Sequence, residues 1–183
     1  ILCRRVIERR WFPSVFRAGF QTERPDSNLF LEQWIPFDIS NMAVDDPSEF
    51  DKSIDFKNGR SGDWRLAPAD WSVYHPHHDY YQKPGNCRRW IARCLNVLNR
   101  IAPINEYEMD KAFVRANGGA ATLVGLTGHD FRDLSTEVDH IRGLVAASSK
   151  KFPDVRFKFC RADDAFRHIT GSDDVTPVEL SLE

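Results

Sequence analysis

The sequence predicts an α/β fold in which parallel strands alternate with helices, as a sheet or as a (β/α) barrel. Three observations carry this. Ala120 to Thr127 is a nearly continuous apolar run without a charge, as expected of a strand covered on both faces. Helix-period segments flank it, and the alternating run Val155-Arg156-Phe157-Lys158-Phe159 follows the later helix. The 183 residues, 42% hydrophobic and 12% aromatic, suffice for the core of one domain.

In chain order, Leu2, Val6 and Ile7 stand at helical spacing among Arg4, Arg5, Arg9 and Arg10. They predict a surface helix over residues 1–10, broken at Trp11-Phe12-Pro13. Ser14 to Gly19 read as a short strand running into a glycine turn. Asp26 or Ser27 caps a short helix through Trp34, and Ile35 to Ser40 form a further strand. Residues 41–86 are rich in Asp, Ser, Gly and Pro and predict a long irregular or hairpin-bearing stretch. Its Trp64, Trp71, Tyr74, Tyr80 and Tyr81 need burial or a ligand. From Asn86 to Ile101 the spacing predicts a helix with Trp90, Ile91, Cys94, Leu95, Leu98 and Ile101 on one face. Asn105 caps the next helix, which stops at Gly118-Gly119. After the Ala120–Thr127 strand, Leu134, Val138, Ile141 and Val145 stripe a helix, and a short helix at 162–169 ends a domain spanning 1–170. Residues 171–183 read as a loose tail.

With 25 Lys and Arg against 27 Asp and Glu the net charge is −2, so there is no basic field to wrap nucleic acid. No apolar run approaches the roughly 18 residues a membrane helix requires. Cys3, Cys87, Cys94 and Cys160 include no C-x-x-C pair, which predicts buried free thiols in a reducing, cytoplasmic compartment. The chain opens Ile1-Leu2-Cys3-Arg4 without methionine and is expected to be a fragment.

Both sheet and barrel gather their sites at the carboxyl ends of strands, where Arg17, Asp38 and His129 are expected to lie. Gly128 lets a substrate approach the backbone, and Asp130 can orient the imidazole of His129; the alternative is that His129 caps the next helix. His75-Pro76-His77-His78-Asp79 is the densest group of possible ligands: on a strand His75 and His77 face one side as a zinc pair would, with Asp79 as a third. In a loop the same residues serve structure or touch a sugar. Asp63-Trp64 and Asp70-Trp71 pair a carboxylate with an indole, which suits a sugar ring; packing tryptophans beside turn-forming aspartates look the same. Tyr74 and His75 belong to this candidate sugar-contacting stretch.

Pro13 to Gly19, a helix, and Phe37-Asp38-Ile39-Ser40 resemble the third motif of the polysaccharide deacetylase family, also called NodB-like or carbohydrate esterase family 4. Thr122 to Asp130 with the helix and β-α finish resembles its fifth motif, a strand closing in Leu-x-His. The likeness covers most of residues 5–169 and implies an incomplete (β/α) barrel of the deacetylase type acting on a carbohydrate, with bacterial surface polysaccharide as the setting. It implies a divalent metal, usually zinc, held by an Asp and two His of the first two motifs. Arg17 would orient a base aspartate, His129 would be the general acid, and Asp63 or Asp70 would tune that histidine. The sequence departs from the pattern in three ways: no Asp-Asp and no H-x-x-x-H precede Arg17, Gly replaces the usual Pro, and Leu126-Thr127-Gly128-His129 is one residue longer than Leu-x-His. The expectation is therefore a deacetylase whose metal ligands lie upstream of Ile1. A glycan-binding relative without turnover, and a small hydrolase built on His75, His77 and Asp79, are the alternatives.

Overall fold

The computed structural model describes residues 2–9, 13–46, 48, 61–99, 101–129 and 131–171. The tail expected at 171–183 lies almost wholly outside the described residues, as do Trp11, Phe12 and Asp130.

Helix α1 (Leu2–Arg9) precedes strand β1 (Val15–Phe16), a 3-10 turn (Gly19–Gln21), helix α2 (Pro25–Trp34) and strand β2 (Phe37–Asn41). Pro25 fits the first helical position because its missing N–H would be unbonded there in any case. A long irregular stretch leads to β3 (Trp90–Asn96), then α3 (Glu106–Asn117), β4 (Gly125–Thr127), α4 (Ser135–Lys151) and α5 (Ala162–Thr170). The strands pair in chain order, every pair parallel, as a curled half-barrel sheet with helices: an α/β fold. Asn105 caps α3 as expected, its side chain accepting from the Glu108 N–H.

Three expectations are corrected. The stretch from Asn86 is not a helix but β3, the most deeply buried strand, with Ile91 to Val97 all inside. A strand covered on both faces shows no alternation, so its apolar residues mimic a helical stripe. The strand expected from Ala120 is regular only at Gly125–Thr127. Residues 155–159, expected as a strand, form no ladder.

One face of β3 packs into two clusters along its length and the other face into a third. Leu95 and Val97 meet Trp71, Ile104, Met109, Phe113, Ile141 and Val145, which joins α3 and α4 to the sheet. Ile91 packs with Met42, Trp64, Tyr74 and Tyr81 from the irregular stretch. Across the sheet Ala92 and Phe37 meet α5, whose Phe166 ring stacks on Phe37 at 4.6 Å and 8°. Within the expected α4 stripe Ile141 and Val145 are buried, but Leu134 and Val138 are exposed. Cys87 and Cys94 are buried free thiols, whereas Cys160 is exposed. Gly125 is required where β4 crosses Arg93, because a Cβ there would sit 2.5 Å from the Arg93 carbonyl oxygen. No helix among the described residues is long and apolar enough to cross a membrane.

Candidate functional site

The parallel sheet sends every carboxyl end to one edge. Arg17 follows β1 there, Ser40 and Asn41 end β2, Asn96 ends β3, and His129 follows β4. Ser40 Oγ accepts from the Ala18 N–H at 2.8 Å, tying the exit of β1 to β2. The Asn41 amide donates to the Pro68 carbonyl and the Asn96 amide to that of Ile101. These three side chains are committed to holding turns. Arg17 is not: its Nε is buried without a partner, and its charge opposes the burial that pushes the Cys94 thiol up to about 12. It borders a recess of about 640 Å³ between β1 and α2, together with Asp26 and Phe30.

His129 is exposed, with its ring 5.2 Å from that of Phe131 and no hydrogen-bond partner among the described residues. The chain after it is pinned. Arg132 pairs with buried Glu137 at 2.5 Å, and Asp133 accepts from both N–H and hydroxyl of Ser135 at the start of α4. Arg17 and His129 follow the two outer strands, β1 and β4, with β2 and β3 between them, so they can address opposite ends of one substrate.

The other expected site residues lie elsewhere. Asp38 is in the body of β2, its side chain wholly buried against Arg89 at 2.5 Å, and does not reach the carboxyl edge. Asp63 is held by Arg65 at 2.8 Å, which keeps its carboxyl below the usual range. Asp70 bonds Ser72 and Arg115. Among the described residues these carboxylates bond Arg65, Ser72 and Arg115 rather than His129. Trp64 and Trp71 have no exposed surface, and their indoles donate to the carbonyls of Gln21 and Glu108. No sugar can stack on them. Tyr74 is buried and donates to the Tyr81 carbonyl, and the burial pushes its hydroxyl well up.

The histidine group is likewise occupied. His75 Nδ1 meets the Arg89 carbonyl at 3.0 Å and its ring lies 3.5 Å from that of Trp90. His77 Nδ1 accepts from the Asp79 N–H, and His78 Nδ1 contacts the Asp79 carboxylate. Among the described residues no three His, Cys, Asp or Glu side chains group to hold a metal.

Sequence reasoning missed a buried ionic core. Arg89, 1% exposed, donates to Glu23, Asp38 and Asn28, all buried, while the Glu32 carboxylate accepts from the Arg88 and Arg89 N–H groups. Burial first, and the neighbouring Asp38 carboxylate second, raise Glu23 from 4.5 to about 9, so it holds a proton at neutral pH. One carboxylate then faces one guanidinium. A second buried pair, Arg93 and Glu108, lies further along β3, with Arg93 also 4.4 Å over the Trp71 ring and donating to the Ala43 carbonyl. Trp71 reaches this position with φ 64, a left-handed backbone that a bulky residue adopts only under compulsion of its surroundings. The one sequence signal for these pairs was arginine inside an apolar run.

The fold and its edge thus define a parallel α/β protein with an accessible cation and an accessible imidazole at opposite ends of its carboxyl edge. No family model, no curated protein and no solved structure matches the chain.

Proposed function

We propose that this chain supplies the later half of the site of a carbohydrate N-deacetylase, a hydrolase that splits an N-acetyl amide into an amine and acetate. The observation that carries the reading is the placement of Arg17 and His129 after the two outer strands of the carboxyl edge, Arg17 Nε and the His129 ring having no hydrogen-bond partner among the described residues where neighbouring polar side chains hold turns. Once water has added to the acetyl carbonyl carbon, His129 as general acid gives a proton to the sugar nitrogen as the C–N bond breaks, so that a neutral amine departs and the acetyl carbon leaves as acetate. Arg17, with its free Nε and fork of donors, holds an anionic group such as a base carboxylate or the acetate released.

The resemblance calls for a divalent metal, and the described residues do not fit one: His75, His77 and Asp79 are taken up by their own loop. On this reading its ligands come from outside those residues, and the compartment is the cytoplasm. A glycan-binding role without turnover has less support, since its proposed platforms, Trp64 and Trp71, are fully buried.

The test is acetate release from N-acetylglucosamine oligomers by the protein carrying its complete reading frame. His129→Ala should lower kcat by ~10² or more with metal content unchanged. An unaltered rate would reject the role of His129, and no acetate from the unmodified protein would reject the deacetylase reading.

A further inference from the structure

Residues 155–160 combine features that do not belong together in a settled loop. Val155, Phe157 and Phe159 alternate with Arg156 and Lys158, the pattern of a half-buried strand. Yet Phe157 and Phe159 are 54% and 64% exposed, and among the described residues the one backbone bond of the segment joins the Val155 N–H to the Phe152 carbonyl. Facing it is the outer edge of β4, whose one strand partner among the described residues is β3. Between the two lies a cavity of about 800 Å³, lined by residues 119–126, by residues 155–160 and by side chains of α3, α4 and α5 such as Phe113, Ile141 and Ile169.

The connection has the form of a parallel crossover. Chain leaving β4 passes through α4, which packs on the core through Ile141 and Val145, and returns beside the strand it left. The order β1-β2-β3-β4 already steps one strand at a time in one direction, and the next position is the one residues 155–160 border. The segment is fixed at both ends: the Phe152 N–H donates to Ser148 at the close of α4, and the Arg161 carbonyl accepts from Ala165 as α5 begins.

We propose that residues 155–160 are a strap that closes on the open edge of β4 as a fifth parallel strand, filling the cavity and extending β4 back toward Leu123. Closure gives the orphan backbone groups of both segments partners and takes Phe157 and Phe159 out of water, while Arg156 and Lys158 stay on the solvent side. It stiffens β4 immediately before His129, so the presentation of that imidazole depends on whether the strap is down. The strap itself does not rest on the deacetylase reading.

Hydrogen exchange on the unmodified 183-residue protein tests it directly. With the strap closed, alternate amides across 155–160 exchange at least about tenfold more slowly than free peptide, and the amides of Thr122 and Val124, which flank the already bonded Leu123 N–H, slow with them. Exchange at free-peptide rates throughout 156–160 would overturn the proposal. A second arm titrates dodecyl phosphate: a closed strap leaves no room, whereas stoichiometric uptake without protection of 155–160 would make the cavity a site for an alkyl chain and the strap reading wrong.

Discussion

At the scale of single residues the chain depends on two buried arginines more than on its exposed histidines. Arg89 is the shared donor for Asp38, Glu23 and Asn28, none of which has water as an alternative. Arg89→Met would leave the Asp38 carboxylate buried and uncompensated, at a cost of about 3–5 kcal/mol, read as a fall in the denaturation midpoint. Glu23→Gln should cost far less, under about 1.5 kcal/mol, because a protonated Glu23 is already neutral and the amide keeps its shape. Equal losses from the two substitutions would mean that Glu23 is ionised and the assignment of its proton wrong. The unbonded Glu23 Oε2 and Gln21 Nε2 show how tightly this corner is closed, as does Gly62, where a Cβ would lie 1.8 Å from the Gln21 carbonyl oxygen.

At the scale of elements, glycine separates close packing from open surface. Gly125→Ala drives a methyl into the Arg93 backbone at the β3–β4 crossing and should lower stability by about 2 kcal/mol or more. Gly143→Ala, within α4 and with nothing within 4 Å of the added carbon, should raise it by roughly 0.5–1 kcal/mol through helix propensity. Thermal melts of the two variants check this, and shifts of the same sign would defeat it. The same contrast explains what could be read in advance. Helices with a cap and an outer face, such as α3 with Asn105, were legible because both signals are local. β3 was not, since burial on both faces erases the period that distinguishes strand from helix, and Arg93 inside it was intelligible only once Glu108 was known to lie opposite. Arg17 and His129 were legible as strand-end residues because polar groups closing an apolar run mark an edge. Asp38 was misplaced to that edge by a strand expected to end at Ser40, and the indoles of Trp64 and Trp71 carried no sign in sequence of which face would be covered.

At the scale of the whole molecule, the ionic core gives stability a pH dependence of definite sign. Glu23 takes a proton at about 9 when folded and at 4.5 when unfolded, so between those values the native state binds the extra proton. Its contribution is present in full below the unfolded value and is lost as pH rises toward 9. The partnered carboxylates act oppositely: Asp63 and Asp70 lie below their ordinary 3.8, so what they add is present above that value and disappears as pH falls through their folded values. The two limbs leave a maximum on the acid side of neutrality. Buried Cys94 and Tyr81 contribute a further fall only above their ordinary values of 9.0 and 10.0, which leaves the window from about pH 5.5 to 8 to Glu23 among the shifted groups. Urea midpoints at pH 5.5, 7 and 8 should therefore decline in the unmodified protein and change less in Glu23→Gln. A midpoint that rises across that window, or declines equally in both, would show that the proton held beneath the sheet is not the one setting its stability.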